Sequence, residues 1–388
     1  MWDLARHYTD ALVADWKRLN MLEPTVRPRA TEHVTGQIEA VERLMEAGHA
    51  YETEQGVYFR VRSFPNYGKL SGNTLDSDTQ AGARELVTDD GKEDPRDFAL
   101  WKRDDKHLMQ WYSPYGRGFP GWHLECSVMA RHYLGDTIDL HAGGEDLIFP
   151  HHECEIAQSE SLTGKPFART WVHTRFLQVE GEKMSKSKGN FYTVRDLVEG
   201  EGVDPLVLRY ALLSGQYRSP LNFTRDHLSS SARVVARYRD AHALVEKIAD
   251  TSNDGPDRLG EKLDTVYDRT LAAMCDDLNT PLAFASALEG VKLIHGLGDN
   301  LNATSAQSAL DWFDRTNQLL GFLAHDEPTE AAATDPVEAQ VAELVEQRTQ
   351  ARKDREWAES DRIRDAVIAL GYEIRDTADG TTWQKKLG

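Results

Sequence analysis

Cysteine is scarce in this chain: Cys126, Cys154 and Cys275 are the only three among 388 residues. So few thiols exclude a disulfide framework and leave metal binding or catalysis as their informative uses. Lysine is sparse too, 15 against 30 arginines, and these 45 cations face 64 Asp and Glu for a formal charge of −19. A surface of that kind suits high salt, and its net acidity still leaves room for a nucleic-acid partner wherever basic groups cluster locally. No apolar run approaches the length needed to span a bilayer, and the opening MWDLARHYTD mixes charged with apolar groups instead of forming a secretory signal. A cytoplasmic chain with no membrane contact is expected. At 40% hydrophobic and 28% charged residues the composition is that of a globular protein, long enough for two or three domains.

Apolar residues at spacings of three to four, such as Leu4, Tyr8, Leu12 and Trp16, predict helix from Asp3 to about Leu44, broken by Pro24 and Pro28. From Tyr51 to about Arg62 the pattern turns β-prone, and Gly- and Asp-rich loops follow, which has the look of an insertion. Thr137 to Gly144, TIDLHAGG, predicts a buried strand ending in a Gly turn, and HHECEIAQSESL a helix. A second strand, TWVHTRFLQVEG, leads into the polar loop GEKMSKSKGN. Strand, helix, strand and loop in that order argue for a parallel α/β sheet. After about Asn222 long helical runs take over. His325 to Glu338, acidic and carrying two prolines, reads as a linker, and beyond it lie a helical stretch ending at Gly371 and the β-prone YEIRDTADGTTWQ.

The run Lys183 to Ser187, KMSKS, is the most informative segment. Two lysines on a Gly-flanked loop are able to close over a polyphosphate, neutralising charge on a leaving pyrophosphate while backbone N–H groups cradle its oxygens. A solvated basic loop is the alternative. Upstream, GWHLECS holds Cys126 and PHHECE holds His151 and Glu155. On a helix His151 and Glu155, at i and i+4, project from one face, and a sulfur from Cys126 completes a set suited to Zn2+. A buried Cys with a surface histidine fits the same letters. The HExxH protease pattern fails, because Ile156 stands where the second histidine belongs.

In order, YTDAL, RATEHV, YGKLSG, DFALWK, GWHLECS, HAGGEDLIFPHHE, EGEKMSKSKGNFYTVRDL, LRYALLSGQYRSPLNF, DDLNTPLA and ALGYEIRDTADGTTW make the chain resemble the cysteinyl-tRNA synthetases, class I aminoacyl-tRNA synthetases, from about Tyr8 to Trp383. The resemblance implies an α/β fold: an incomplete Rossmann-type parallel nucleotide-binding domain, an α-helical bundle and a small C-terminal anticodon-binding domain. It places a helical segment at 1–50, a connective insertion and approach to the active site at 51–136, and the rest of the catalytic domain with the KMSKS loop at 137–225. The tRNA-binding bundle follows at 226–324, the linker at 325–338 and the anticodon domain at 339–388. The implied reaction is ATP-dependent activation of cysteine to cysteinyl-adenylate, then transfer to tRNA(Cys), with one Zn2+ and ATP with Mg2+ as cofactors and a monomeric protein. Cys126, His151 and Glu155 match zinc ligands, and Trp122 and His123 flank the amino-acid pocket. Gly143, Gly144 and Asp146 match the adenylate side, and Lys183 and Lys186 the triphosphate lysines. Zinc prefers thiolate to a serine hydroxyl, so such a site selects cysteine without editing. Trp357, Asp361, Arg364 and Asp365 fall in the anticodon-reading end, where stacking and hydrogen bonds would suit unpaired bases. A helix that packs Trp357 into its core is the competing account.

The family's opening strand, first zinc cysteine and His-x-Gly-His signature have no counterpart in these residues. An N-terminally shortened form is expected, with backbone and apolar surface exposed where a central strand is missing. Cys154 stands where the family usually has Asn, offering a substitute ligand, and Lys188 is an extra cation beside the loop. Two other functions compete: a relic that only binds tRNA, and a related ligase joining cysteine to an amino sugar. The helical C-terminal half speaks against the second, because a sugar acceptor needs no anticodon reader.

Overall fold

The structure, a computed structural model, describes residues 1–75, 91–321, 336–353, 357–370, 372–377 and 380–385. The opening periodicity forms two helices, α1 (Trp2–Arg18) and α2 (Val34–Glu46), with the Pro24 and Pro28 stretch between them. Helix α2 buries Val34, Gln37, Val41 and Leu44, a three-and-four spacing that aims one stripe inward, whereas α1 buries none of its residues. The β-prone stretch forms β1 (Ala50–Thr53) and β2 (Gly56–Phe59), joined by β3 (Phe98–Lys102) and β4 (Phe119–Pro120) in one antiparallel sheet in that order. Val57, Phe59, Leu100 and Trp101 face a core shared with Leu124, Ile138, Ile156 and Phe167, so the sheet and the segments after it pack as one body.

That core supports the elements of the site: α3 (Trp122–Leu134), β5 (Ile138–Gly144), α4 (Glu153–Thr163) and β6 (Ala168–Thr174). Strands β5 and β6 are parallel, from Ile138 opposite Ala168 to Gly144 opposite Thr174, with α4 as the crossover. The expected parallel α/β unit is present, with two corrections. Only Ile138 of β5 is buried and Leu140 is 55% exposed, because among the described residues β5 has β6 as its single strand neighbour. The run from Thr170 to Gly181 is also not one strand: it breaks at Arg175 and Phe176 into β6 and β7 (Leu177–Val179). Strand β7 pairs antiparallel with β8 (Glu182–Lys183) and parallel with β9 (Leu221–Phe223), the latter following α5 (Pro205–Leu213).

From Arg225 the chain is helical: α6 (Arg225–Ala249), α7 (Gly260–Cys275), α8 (Thr280–Leu297) and α9 (Ala303–Leu320). Thr224, Asn279 and Asn302 cap α6, α8 and α9 by accepting backbone N–H bonds into their side chains. Tyr238, Phe284, Trp312 and Phe313 fill the bundle core. Among the described residues no helix is long and apolar enough to cross a membrane.

Contacts divide the chain into two units, Met1–Leu323 and Ala324–Gly388. Residues 325–335, most of the expected linker, lie outside the described residues, and α10 (Pro336–Lys353) starts within its expected range, with proline at the first helical position. Helix α11 (Trp357–Ala369) and the antiparallel pair β10 (Tyr372–Thr377) and β11 (Gly380–Lys385) complete the second unit, with Val341, Val345 and Val367 as its buried apolar centre.

Candidate active site

Gly121 begins the construction. A Cβ there would collide with the Ala99 carbonyl oxygen of β3, so only glycine lets the chain pass that close and turn into α3. Trp122 and His123 therefore sit on the first turn of α3 and Cys126 one turn further on. On the facing segment, the turn Ile148–His152 runs into α4 and carries His151 and Glu155. Both of these side chains are buried, Glu155 completely.

Three ligand atoms, from Cys126, His151 and Glu155, lie within 4.8 Å of one another. His151 Nε2 is 3.5 Å from Glu155 Oε1. The other ring nitrogen is engaged: His151 Nδ1 shares a 2.8 Å hydrogen bond with His123 Nδ1, which leaves Nε2 to face the carboxyl and the thiol. Trp122 lies against the His151 ring at 4.3 Å between centroids, while remaining 48% exposed. Burial pushes the Cys126 thiol up to about 12, helped by the Glu155 and Glu125 carboxyls. Burial also lowers His151 and takes His123 down to about 3, the latter aided by His151 and Lys102.

The fit to a soft divalent cation rests on one further observation. Glu155 Oε1 is fully buried and makes no hydrogen bond of good geometry, with His151 Nε2 at 3.5 Å and the Cys126 thiol as weak contacts. An acceptor left in that state costs roughly 1–3 kcal/mol unless something satisfies it. A cation held by thiolate, imidazole and this oxygen satisfies it, and N, S and O ligands are the set zinc takes in tetrahedral sites. The residues present therefore fit the expected metal.

Cys154 is not part of this group. It is buried, with its Sγ 3.6 Å from the Tyr67 hydroxyl. The adjacent Glu153 is structural, accepting from the backbone N–H groups of Gly68, Leu70 and Ser71 and so fastening the YGKLSG loop to α4.

Three histidines that the sequence reading passed over belong to the site. His141 of β5 donates from Nε2 to Glu155 Oε2 at 2.9 Å. His152 directs Nε2 toward the same oxygen at 3.9 Å, and its Nδ1 shares a 2.8 Å bond with His173 Nε2 of β6. Burial, with His141 and His173 beside it, lowers His152 to about 3. The available signal was a histidine near the end of each of two neighbouring strand candidates, flanking an HH pair. Gly143 has its reason here: a Cβ would lie 2.8 Å from His152 Cε1 and 2.9 Å from Leu147 Cδ1. At Gly144 a Cβ would meet only the end of the exposed Asp146 side chain, at 2.6 Å, which is able to give way.

The KMSKS loop leaves β8. Ser185 N–H donates to the Asn190 side chain, whose amide donates to the Lys183 carbonyl, closing the loop on itself. Lys188 is tied to Glu182 at 2.9 Å, away from a phosphate role. Lys183 Nζ lies 5.2 Å from the centre of the Phe176 ring. The Phe176 N–H in turn donates to Glu145, in the turn after β5, and Arg175 pairs with the same carboxyl. The loop is thus joined through Phe176 to the turn holding Gly143, Gly144 and Asp146. Lys186 is placed by its backbone in the short helical turn Lys186–Lys188, and its side chain lies outside the described residues. In the second unit Trp357 is 60% exposed, against the competing expectation of a packed core, and Asp361, Arg364 and Asp365 are exposed on the same helix.

Residues 1–233 match the model of the tRNA synthetases class I (C) catalytic domain, residues 270–324 the DALR domain, and residues 334–383 the cysteinyl-tRNA ligase anticodon binding domain. A cysteine-tRNA ligase of Salinibacter ruber is 56% identical across 100% of this chain and 79% of its own length. One of Thermus thermophilus is 43% identical across 99% of this chain and 78% of its own. Among solved structures, a putative arginyl-tRNA synthetase of Campylobacter jejuni superposes with a TM-score of 0.51 at 16% identity, covering 84% of this chain and 69% of that one, a likeness of fold alone. With a class I catalytic model over its first 233 residues and full-length relatives of this identity, the chain belongs to the cysteinyl-tRNA ligase family of class I aminoacyl-tRNA synthetases.

Proposed function

We propose that this chain is a cysteine-tRNA ligase that joins cysteine to ATP, releasing pyrophosphate, and passes the cysteinyl group to tRNA(Cys), with Cys126, His151 and Glu155 holding one Zn2+. The observation that carries the reading is the convergence of a thiol, an oriented imidazole nitrogen and an unsatisfied buried carboxyl oxygen at one point. When bound, the ion supplies an open position that prefers the substrate's thiolate to a hydroxyl. His123 holds the His151 ring so that Nε2 faces inward. Trp122 lies tilted against that ring and walls the amino-acid pocket. Gly143, Gly144 and Asp146 line the adenylate side. Lys183 and Lys186 neutralise the triphosphate, taken with Mg2+, as negative charge builds on the leaving pyrophosphate. Trp357 stacks on an unpaired anticodon base while Asp361 and Arg364 hydrogen-bond neighbouring edges. The protein acts as a monomer.

The test uses the cobalt(II)-substituted full chain. Added cysteine is expected to raise thiolate-to-cobalt charge-transfer absorption above that from Cys126, and serine at the same concentration to leave it unchanged. No response to cysteine, or an equal response to both, refutes the assignment of the amino-acid site.

A further inference from the structure

The turn between α7 and α8 holds its backbone in a form that side chains resist. Asp277 and Leu278 have φ of 54° and 51°, the one place among the described residues where two consecutive residues other than glycine are left-handed. The N–H groups of Asp276, Leu278 and Asn279 donate back into the last turn of α7, and the Thr280 hydroxyl reaches the Leu213 carbonyl at 2.6 Å. Strain of this kind persists where neighbours over-determine it. Here the neighbour is the stretch from Gln216 to Arg218, shortly before β9. The Tyr217 hydroxyl donates to Asp277 Oδ1 at 2.6 Å, and the Arg218 guanidinium forks across both oxygens of the same carboxylate. The two sides of this contact come from different matched regions, the turn from the DALR domain and the stretch from the catalytic domain.

The same stretch touches the active site. The Tyr217 carbonyl accepts the Arg175 N–H at 2.9 Å, at the break where β6 ends. Arg175 and Phe176 are held from the other side by Glu145, and Lys183 lies over the Phe176 ring. Tyr217 thus meets the bundle turn with its hydroxyl and the active site with its backbone. We propose that Asp277 is a positioning residue for the loop that takes the triphosphate: its carboxylate anchors the Tyr217–Arg218 segment, that segment fixes Arg175 and Phe176, and the Phe176 ring places Lys183. This rests on the reading that Lys183 and Lys186 bind the triphosphate. Asp277 acts only through Tyr217 and Arg218. The contact is exposed, Arg218 by 65% and Asp277 by 44%, so its loss loosens the loop without unfolding the chain. Coupling of this kind runs both ways: triphosphate under the loop steadies the turn as much as the turn steadies the loop.

The experiment is hydrogen–deuterium exchange of the full chain, read peptide by peptide by mass spectrometry. Asp277→Gly removes the carboxylate but suits the left-handed backbone, so its Tm should stay within about 1 °C. Peptides covering residues 174–188 should nevertheless exchange about fivefold faster. Tyr217→Phe, which removes only the hydroxyl, should accelerate the same peptides. Asp264→Asn breaks another ion pair of the bundle, that with Arg315, and should leave them unchanged. In the unsubstituted chain, ATP with Mg2+ should slow exchange at the loop and also at residues 276–282. Arg218→Gln, which leaves the turn's own sequence intact, should abolish the second slowing and keep the first. Unaltered loop exchange in Asp277→Gly and Tyr217→Phe overturns the proposal, as does equal acceleration by Asp264→Asn. Slowing by ATP at the loop with none at the turn of the unsubstituted chain overturns it too. No slowing at the loop counts instead against the triphosphate reading, and the comparison of Asp277→Gly with Asp264→Asn then decides the positioning by itself.

Discussion

Replacing Glu155 by Gln separates a metal ligand from a structural carboxyl, because the two roles predict opposite signs of stability. In the metal-free chain Oε1 is buried without a hydrogen bond of good geometry while Oε2 accepts from His141. Gln preserves the shape, leaves a carbonyl for His141, and puts an NH2 where Oε1 was, 3.5 Å from His151 Nε2 and beside the Cys126 sulfur, both able to accept. Removing so poorly satisfied a buried acceptor should recover part of the roughly 1–3 kcal/mol that such an atom costs. The expected gain is about 1 kcal/mol, which for a unit of 323 residues raises Tm by about 1–2 °C. With zinc the order reverses. An unsubstituted chain at a free zinc concentration one hundred times its Kd gains about 2.7 kcal/mol, and the variant, one ligand short, gains far less. Thermal unfolding followed by circular dichroism, once in chelator and once in excess zinc, reads both signs. If Glu155→Gln is destabilised by about 2 kcal/mol or more in chelator, the carboxyl is there to anchor His141 and the other histidines, and the metal argument fails.

Gly143→Ala drives a methyl into the His152 ring and Leu147, a clash expected to cost about 1–3 kcal/mol and to loosen metal binding as His152 shifts next to Glu155, measured by urea unfolding and zinc titration. The Cys126 thiol, pushed up to about 12, is protonated in the metal-free site at neutral pH, whereas burial already keeps His151 neutral there. Zinc binding should therefore release one ligand proton between about pH 7 and 8 and strengthen about tenfold per pH unit; calorimetry in buffers of different ionisation enthalpy counts the proton. With no metal the same shift stabilises the fold below the unfolded thiol value of about 8.5 and is lost as pH rises toward the folded value. Trp357→Ala, at a 60% exposed position, should leave Tm within about a degree while weakening tRNA(Cys) binding by about 1–3 kcal/mol in a filter-binding titration. An unchanged affinity would remove Trp357 from the anticodon surface.

Much of the fold was legible because its signals are local. The opening helices, the strand of TIDLHAGG and the long helices after Asn222 each follow from spacing read over a few positions. The break at Arg175 and Phe176 was not legible: TWVHTRFLQV is uniformly β-prone, and what divides it is tertiary. Glu145, arriving from the turn after β5, takes both the Phe176 N–H and the Arg175 guanidinium, and β7 then finds its partner in β9, distant in sequence. The exposure of Leu140 has the same origin, since an apolar run predicts a buried strand and nothing in the run reports how many neighbours the strand will have.

At the site, the ligands could be named from a helical spacing and one cysteine, but the atoms that orient them could not. Helical periodicity gives His151 and Glu155 a shared face. It says nothing of His123, which arrives from α3, or of His141 and His173, which are set by the parallel register that puts Gly143 opposite His173 and His141 opposite Trp171. Those three decide the chemistry of the ligands: His123 and His173 fix which imidazole nitrogens face inward, and His141 fixes which carboxyl oxygen is left bare. Gly143, read as part of the turn on the adenylate side, also meets a space requirement of the same histidine layer, since a Cβ there would lie 2.8 Å from His152 Cε1. The ligand list thus belongs to local sequence and the ligand geometry to strand pairing, so substitutions in the outer histidines should alter metal affinity without removing a single ligand atom.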